Sequence, residues 1–260
     1  MAVRPVDIVF PKTWEELVRM PELRTAKVLY RATGGYRVVY RLAPGVVLKH
    51  GGEFGDEILC MRVAQAAGLP VPSVIHHPGS LDIRVPWSFH PPSNVWYFCM
   101  EEVPGVPLNT VVDHLSDDKL SALASQLRNF LNLLSKVEHK GTIGSVDGGA
   151  FRTLMAPPYS QPDHPFQKDT SRLPTDDEIR FTHGDLVPKN IMVDADGERI
   201  TGIIDWGNSG FYPSYWEYCR MHHSSTPGWE KILRMVFPEP RRQAEIDAVR
   251  AILYTFSINL

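Results

Sequence analysis

Two carboxylates and one carboxamide fall within a single stretch whose other residues favour strands and turns. The stretch is FTHGDLVPKNIMVDADGERITGIIDWGNSG, and the three residues are Asp185, Asn190 and Asp205. Carboxylate and amide oxygens are hard ligands, which Mg²⁺ prefers when it is bound together with substrate phosphates. These residue types therefore suit a magnesium-assisted reaction of a phosphate compound.

The predicted elements around these residues bring them together. The runs NIMV and RITGIIDW are β-type, and they flank Asp196-Gly197, which is a strong turn signal. In the resulting antiparallel hairpin the start of the first strand lies beside the end of the second. Asn190 and Asp205 should therefore meet at the open end, and Asp185 precedes them on a loop.

The joint spacing of the three residues distinguishes them from ordinary turn residues. Taken alone, an Asp or Asn beside a strand is usually a turn or cap residue. However, the string HGDLVPKN matches the kinase catalytic-loop pattern H-R-D-L-x-x-x-N at every defined position except the Arg. Asp205 then occupies the position of the metal-binding Asp in D-F-G. The spacing predicts a phosphoryl-transfer site.

The sequence resembles the aminoglycoside phosphotransferase and choline-kinase-like family, especially its branch common in filamentous fungi. The resemblance covers roughly residues 38 to 220 and is carried by FTHGDLVPKNIMV, GIIDWGNSGFYPSYWEY, YFCMEEVPGVPL and VVLKHGG. It implies an α+β, two-lobed protein-kinase-like fold with a β-rich N-lobe and a mostly helical C-lobe. It also implies an ATP- and Mg²⁺-dependent phosphotransferase acting on a hydroxyl of a small molecule.

In the C-lobe, the resemblance implies a role for each residue of the motif. Asp185 would be the catalytic-loop carboxylate, which orients the acceptor hydroxyl and takes its proton. Asn190 and Asp205 would hold Mg²⁺. His183 is expected to shape the loop by packing and hydrogen bonding rather than to act as a base.

In the N-lobe, the resemblance implies that Lys49 contacts the nucleotide phosphates, with Glu57 as its partner. The backbone from Glu101 to Val103 would bind adenine. Lys49 could instead be an edge-strand lysine that prevents aggregation. A solvated helix face that also carries Glu53 and Asp56 could likewise explain Glu57.

Residues that break strands and helices, together with the periodicity of hydrophobic residues, divide the chain into lobes. YRVVYRLAPGVVLKHGG predicts a hairpin turning at Pro44-Gly45, and the next segment predicts a helix carrying Glu57 that stops at Gly68. A buried strand in VWYFCMEEVPGVPL ends at Pro104-Gly105, which predicts an N-terminal nucleotide-binding lobe over 1–103 and a catalytic and acceptor-binding lobe over 104–260. A leucine stripe after an N-cap at Ser116 predicts the main helix of the second lobe.

Composition excludes several classes of function. The 260-residue chain has a formal charge of −3 and contains no basic run, so a nucleic-acid partner is not expected. No apolar run resembles a secretory signal or a membrane span, so a cytoplasmic location without a membrane partner is expected. The three cysteines lack metal-ligand spacing and are expected to be reduced and mostly buried. The sequence does not indicate an oligomeric state.

The segment that follows the motif favours a small-molecule acceptor over a protein substrate. Gly184 stands where many protein kinases have the Arg that couples to activation-loop phosphorylation, and no APE element follows Asp205. A nucleotide-binding pseudokinase without turnover is the main alternative, because the region from Pro165 to Phe181 looks short for an acceptor pocket. The retention of Asp185 argues against this alternative.

Two weaker signals concern the ligands. Only Gly34-Gly35 could cover the nucleotide phosphates, because the first lobe has no G-x-G-x-x-G. An acidic cluster near the catalytic loop suggests a cationic acceptor, although solvated loop charges explain it almost as well. Its members are Asp169, Asp176, Asp177 and Glu178.

Overall fold

The computed structural model describes residues 8–12, 14–32, 37–52, 54–78, 96–138, 143–147 and 177–258. Their contacts divide the chain into two compact units. The first comprises the residues up to Leu59 together with Pro72–Val103, and the second comprises Cys60–Val71 and Pro104–Leu260. Residues 60 to 71, which the sequence pattern places in the N-terminal lobe, therefore group with the second unit.

The first unit is built on a five-stranded antiparallel sheet. Its strands are β1 (Lys27–Arg31), β2 (Val38–Ala43), β3 (Val46–His50), β4 (Val74–His76) and β5 (Tyr97–Glu101), in the order β1-β2-β3-β5-β4. Helices α1 (Trp14–Arg19) and α2 (Pro21–Thr25) precede the sheet, and α3 (Gly55–Ala66) begins after β3. The predicted hairpin is confirmed, since Gly45 has the φ of 80° that a type II turn requires.

The second unit is mostly helical. Its helices are α4 (Asp117–Leu134), α5 (Tyr215–Met221), α6 (Pro227–Val236) and α7 (Gln243–Ile258). The predicted main helix is α4, which buries Leu120, Leu123 and Leu127 of the leucine stripe. Ser116 stands at its N-cap, but the Ser116 hydroxyl makes no capping hydrogen bond.

Two small antiparallel sheets complete the second unit. Strands β6 (Val106–Pro107), β8 (Ile191–Val193) and β9 (Ile200–Ile203) form one of them, and β7 (Ile179–Thr182) pairs with β10 (Gly210–Pro213) in the other. The predicted β8–β9 hairpin is confirmed, with Ile191 opposite Ile203. The predicted α+β class is also confirmed.

Aromatic and aliphatic side chains fill the interior of each unit. In the first unit, Leu48, Tyr97 and Cys99 belong to one buried cluster. In the second, Tyr212 and Trp216 stack with ring centroids 5.2 Å apart within another. The three cysteines are buried thiols that are not disulfide-bonded, as predicted. Across the described ranges, the helices are too short or too polar to cross a membrane.

Candidate active site

The loop that carries Asp185 depends on a glycine. Gly184 has a φ of 77°, in the left-handed region that side chains rarely adopt, and a Cβ on it would lie 2.2 Å from the carbonyl oxygen of Asn208. The backbone therefore explains why glycine stands where the protein-kinase pattern has Arg. The loop continues into a 3₁₀ turn, Pro188–Asn190, which leads into β8.

The carboxylate of Asp185 is buried and makes three polar contacts. Arg220 donates from Nη2 to Oδ1 over 2.5 Å. Asn190 donates from Nδ2 to Oδ2 over 3.0 Å, and the Lys189 ammonium lies 3.2 Å from the same oxygen. Both carboxylate oxygens are thus held in defined directions by side chains of opposite or neutral charge.

The hairpin brings the chain positions of Asn190 and Asp205 together. The backbone N–H of Ile204 donates to the carbonyl oxygen of Asn190 over 3.0 Å, and Asp205 follows immediately. Asp205 has a φ of 65°, and within the described ranges it is the one non-glycine residue with a positive φ. Such conformations are held by the surrounding structure and are concentrated at functional sites.

The Asn190 amide is oriented by Asp185. Its Nδ2 donates both to the backbone oxygen of Asp185, over 2.8 Å, and to the carboxylate. The amide oxygen therefore remains as the group that can accept a ligand. Together with the Asp205 carboxylate it offers only oxygen donors, which fit Mg²⁺ better than metals that prefer thiolate or imidazole.

A metal site made only of acidic, histidine or cysteine ligands is absent from the described residues. No three of these side chains gather there in a metal-binding arrangement. Mg²⁺ held by Asn190 and Asp205 would therefore need ligands beyond these two side chains, such as phosphate oxygens and water.

His183 is a buried residue that shapes the loop. Its Nδ1 accepts the backbone N–H of Asp185 at 3.2 Å, so its Nε2 is the atom that donates to the carbonyl oxygen of Ile204 at 3.0 Å. The imidazole also packs edge-on against Trp206, with ring centroids 4.6 Å apart. Burial lowers the pKa of His183, although the charges of Asp185 and Asp205 oppose that shift. The neutral ring fits the expected packing and hydrogen-bonding role.

Helix α5 supplies two residues that the sequence analysis missed. The carboxylate of Glu217 accepts the backbone N–H groups of His183, Gly184 and Leu186 at 2.5, 3.2 and 3.4 Å. Burial raises the pKa of Glu217 from its ordinary 4.5 to about 7, although these N–H groups and Arg220 favour the charged form. Arg220, also buried, contacts Asp185. The available signal was two charged residues inside the otherwise apolar segment YWEYCRM, which is too apolar to lie at a surface.

In the first unit, Lys49 and Glu57 form a buried ion pair. The ammonium of Lys49 lies 2.8 Å and 2.9 Å from the two carboxylate oxygens of Glu57. Lys49 lies on β3, between β2 and β5, and therefore not on an edge strand. Glu57 is 4% exposed, which excludes the solvated helix face. Glu53 lies outside the described residues.

The segment from Glu101 to Val103 has a defined hydrogen-bonding pattern. The backbone N–H of Glu101 donates to the Ser73 carbonyl oxygen, and that of Glu102 donates to the Gly45 carbonyl oxygen. The backbone N–H of Val103 has no acceptor among the described residues. Val103 therefore has the N–H group that could serve adenine.

The remaining predicted ligand features have structural partners or lie outside the described residues. The aromatic residues that follow Asp205 belong to the core, since Trp206, Tyr212, Tyr215 and Trp216 are all buried. In the acidic cluster, Asp177 accepts the Ser214 hydroxyl and the Tyr215 N–H at the start of α5, and Glu178 pairs with Arg180. The other features, Gly34-Gly35, Asp169 and Asp176, lie outside the described residues.

The β-rich first unit and the catalytic-loop residues of the second define a protein-kinase-like phosphotransferase. The family model of the phosphotransferase enzyme family APH matches residues 22–251. The chain belongs to this family, as the resemblance in the sequence predicts.

Solved structures of aminoglycoside phosphotransferases share the fold. APH(2")-IIa, in a ternary complex with streptomycin and ATP, is 14% identical at a TM-score of 0.57, over 94% of this chain and 87% of that one. An aminoglycoside-3'-phosphotransferase of type VIII is 16% identical at a TM-score of 0.57, over 93% of this chain and 97% of that one. APH(3'')-Id from Streptomyces rimosus is 14% identical at a TM-score of 0.54, over 90% of this chain and 97% of that one. The kinase-like fold is thereby confirmed.

Proposed function

We propose that this protein is an ATP-dependent kinase that transfers the γ-phosphate to a hydroxyl of a small molecule. The observation that carries the proposal is the arrangement of Asp185, Asn190 and Asp205. The side chain of Asn190 is hydrogen-bonded to Asp185, and its backbone is paired with Ile204, next to Asp205. Phosphoryl transfer needs mainly positioning and charge neutralisation, which such an arrangement can supply.

Asp185 would serve as the base. The acceptor hydroxyl oxygen forms the new bond to the γ-phosphorus, the bond from that phosphorus to the bridging oxygen of ADP breaks, and the hydroxyl proton passes to the Asp185 carboxylate. Asn190 and Asp205 would hold Mg²⁺, which when bound offsets the negative charge of the phosphates.

Residues of the first unit would bind the nucleotide. Lys49, held in place by Glu57, would contact the phosphates as a fixed positive charge. The backbone N–H of Val103 and the carbonyl group of Glu101 would bind the adenine. Structures that share the fold were solved with ATP, with ADP and with GDP, which supports a purine nucleotide as the donor.

The acceptor would be a small molecule rather than a protein. The sequence has no APE element, and the backbone conformation of Gly184 excludes the Arg that protein kinases use for activation-loop control. Structures that share the fold were solved with streptomycin, gentamicin or kanamycin. These aminoglycosides are therefore the first acceptors to test, followed by amino alcohols and sugars.

The experiment combines nucleotide binding with phosphoryl transfer. Thermal unfolding is measured with ADP alone, Mg²⁺ alone and both, and radiolabelled ATP is then offered with a panel of hydroxyl compounds. ADP should raise the melting temperature weakly and MgADP clearly more. Melting curves that respond to neither addition would contradict nucleotide binding. Tight MgATP binding without transfer to any acceptor or to water would replace the kinase with a nucleotide-binding pseudokinase.

A further inference from the structure

Arg220 makes two hydrogen bonds to the catalytic loop. Its Nε donates to the carbonyl oxygen of Gly184 over 2.6 Å, and its Nη2 donates to Oδ1 of Asp185 over 2.5 Å. The side chains of Arg220 and Asp185 are only 5% and 10% exposed. We propose that Arg220 is the positioning residue that fixes the orientation of the Asp185 carboxylate for proton transfer. This inference rests on the proposed kinase function.

The geometry of arginine explains why this residue type suits the task. The guanidinium is planar, so the directions of its Nε and Nη2 donors are fixed relative to each other. One donor reaches the backbone just before Asp185 and the other reaches its side chain. The carboxylate is therefore held relative to its own main chain. A lysine at position 220 would carry the same charge but could not supply two donors in one plane.

Helix α5 anchors the loop through groups of opposite charge. Glu217 accepts backbone N–H groups of the loop, while Arg220 donates to a loop carbonyl and to the carboxylate. Both residues are buried in a helix of seven residues. A buried charge is tolerated when it is paired and hydrogen-bonded, and Arg220 meets that requirement through Asp185 and the Gly184 carbonyl group. Arg220 is the one of the two that reaches the reacting side chain.

The contacts also assign different roles to the two oxygens of Asp185. Oδ1 is occupied by the buried Arg220, whereas the Lys189 ammonium at 3.2 Å from Oδ2 belongs to a side chain that is 61% exposed. An acceptor hydroxyl can reach Oδ2 by displacing this exposed lysine, while the hydrogen bond from Asn190 Nδ2 to the same oxygen remains. Oδ2 is therefore the oxygen that takes the hydroxyl proton, as the hydroxyl oxygen bonds to the γ-phosphorus and ADP leaves.

The test compares Arg220→Ala and Arg220→Lys with wild type and with Arg199→Gln. Arg199 is a matched control because it is an exposed arginine that pairs with Asp194. The assay is phosphate release from MgATP with water as acceptor, with calorimetric binding of MgADP to the same samples. We expect Arg220→Ala to lower kcat by about a hundredfold, the scale for a misplaced reacting group, with KM for ATP and MgADP affinity changed less than about threefold. Arg220→Lys should have a kcat above that of Arg220→Ala but below that of wild type.

Chemical rescue separates positioning from a purely structural role. Guanidinium ion, added well below the concentration that unfolds the protein, should raise kcat of Arg220→Ala by about tenfold or more and leave wild type and Arg199→Gln unchanged. An Arg220→Ala variant that keeps the wild-type kcat would overturn this inference but not the proposed function. The same conclusion follows if Arg220→Ala loses both kcat and MgADP binding and guanidinium does not restore kcat. A wild type that neither binds MgADP nor hydrolyses ATP would overturn the proposed function itself.

Discussion

The Lys49 ammonium lies between the two carboxylate oxygens of Glu57, at 2.8 Å and 2.9 Å, and both side chains are almost fully buried. The pair connects β3 to the first turn of α3. Removing two charges from water costs several kcal/mol, and their attraction offsets that cost only while both are present. Loss of either partner leaves an uncompensated charge in the interior.

Lys49→Met and Glu57→Gln should each lower the free energy of unfolding by about 3 to 5 kcal/mol, the usual cost of breaking a buried pair. The double variant Lys49→Met/Glu57→Gln should lose less than the sum of the two single losses. Urea unfolding provides the measurement. Lys231→Met is the control, because Lys231 pairs with Asp117 at 2.7 Å on the exposed surface and its loss should cost less than about 1 kcal/mol. Strictly additive losses would show that the two residues are not coupled.

Gly184 and Gly45 give a second, matched prediction. Both have a positive φ, of 77° and 80°, but a Cβ on Gly45 would meet nothing within 4 Å, whereas one on Gly184 would collide with the Asn208 backbone. Gly45→Ala should therefore cost only the conformational term, about 1 to 2 kcal/mol. Gly184→Ala should cost clearly more and should also abolish turnover, because the catalytic loop must shift. Equal losses of melting temperature, with turnover intact in both variants, would contradict this description of the loop.

The raised pKa of Glu217 gives a pH-dependent prediction. Because burial raises this pKa from 4.5 to about 7, the protonated form stabilises the fold fully below pH 4.5, and that contribution is lost as the pH rises through about 7. Glu217→Gln cannot titrate. Between pH 5 and 8, the unfolding free energy of wild type should therefore fall relative to that of Glu217→Gln, by at most about 3 kcal/mol. A shift in the opposite direction would show that the three N–H contacts hold the pKa of Glu217 below its ordinary value.

Local signals were sufficient to predict much of the fold and part of the site. Pro44-Gly45 and Asp196-Gly197 specify their turns through backbone preferences that involve only neighbouring residues. The leucine stripe of α4 specifies a helix because the helical period is local as well. The same reasoning placed Asn190 beside the end of β9, since register follows from the turn.

Contacts between distant parts of the chain were not predicted. Glu217 and Arg220 act on a loop that is 31 to 36 residues earlier in the sequence. A charged pair on a short helix gives no local indication of its partners. The left-handed conformation of Asp205 is likewise imposed by its surroundings, because an isolated Asp only tolerates it. The residues that hold the catalytic loop therefore emerge only once the tertiary structure is known.

Asp185 and Asp205 have separate tasks in the proposed reaction, and one paired measurement tests this assignment most directly. MgADP binding by calorimetry and phosphoryl transfer from MgATP are compared in wild type, Asp185→Asn and Asp205→Asn. Asp205→Asn should lose both, because a neutral amide no longer holds the metal against the phosphates. Asp185→Asn should keep MgADP affinity within about tenfold, or 1.4 kcal/mol, while turnover falls by about a hundredfold or more. Wild-type turnover in Asp185→Asn would contradict the central claim that Asp185 is the catalytic base.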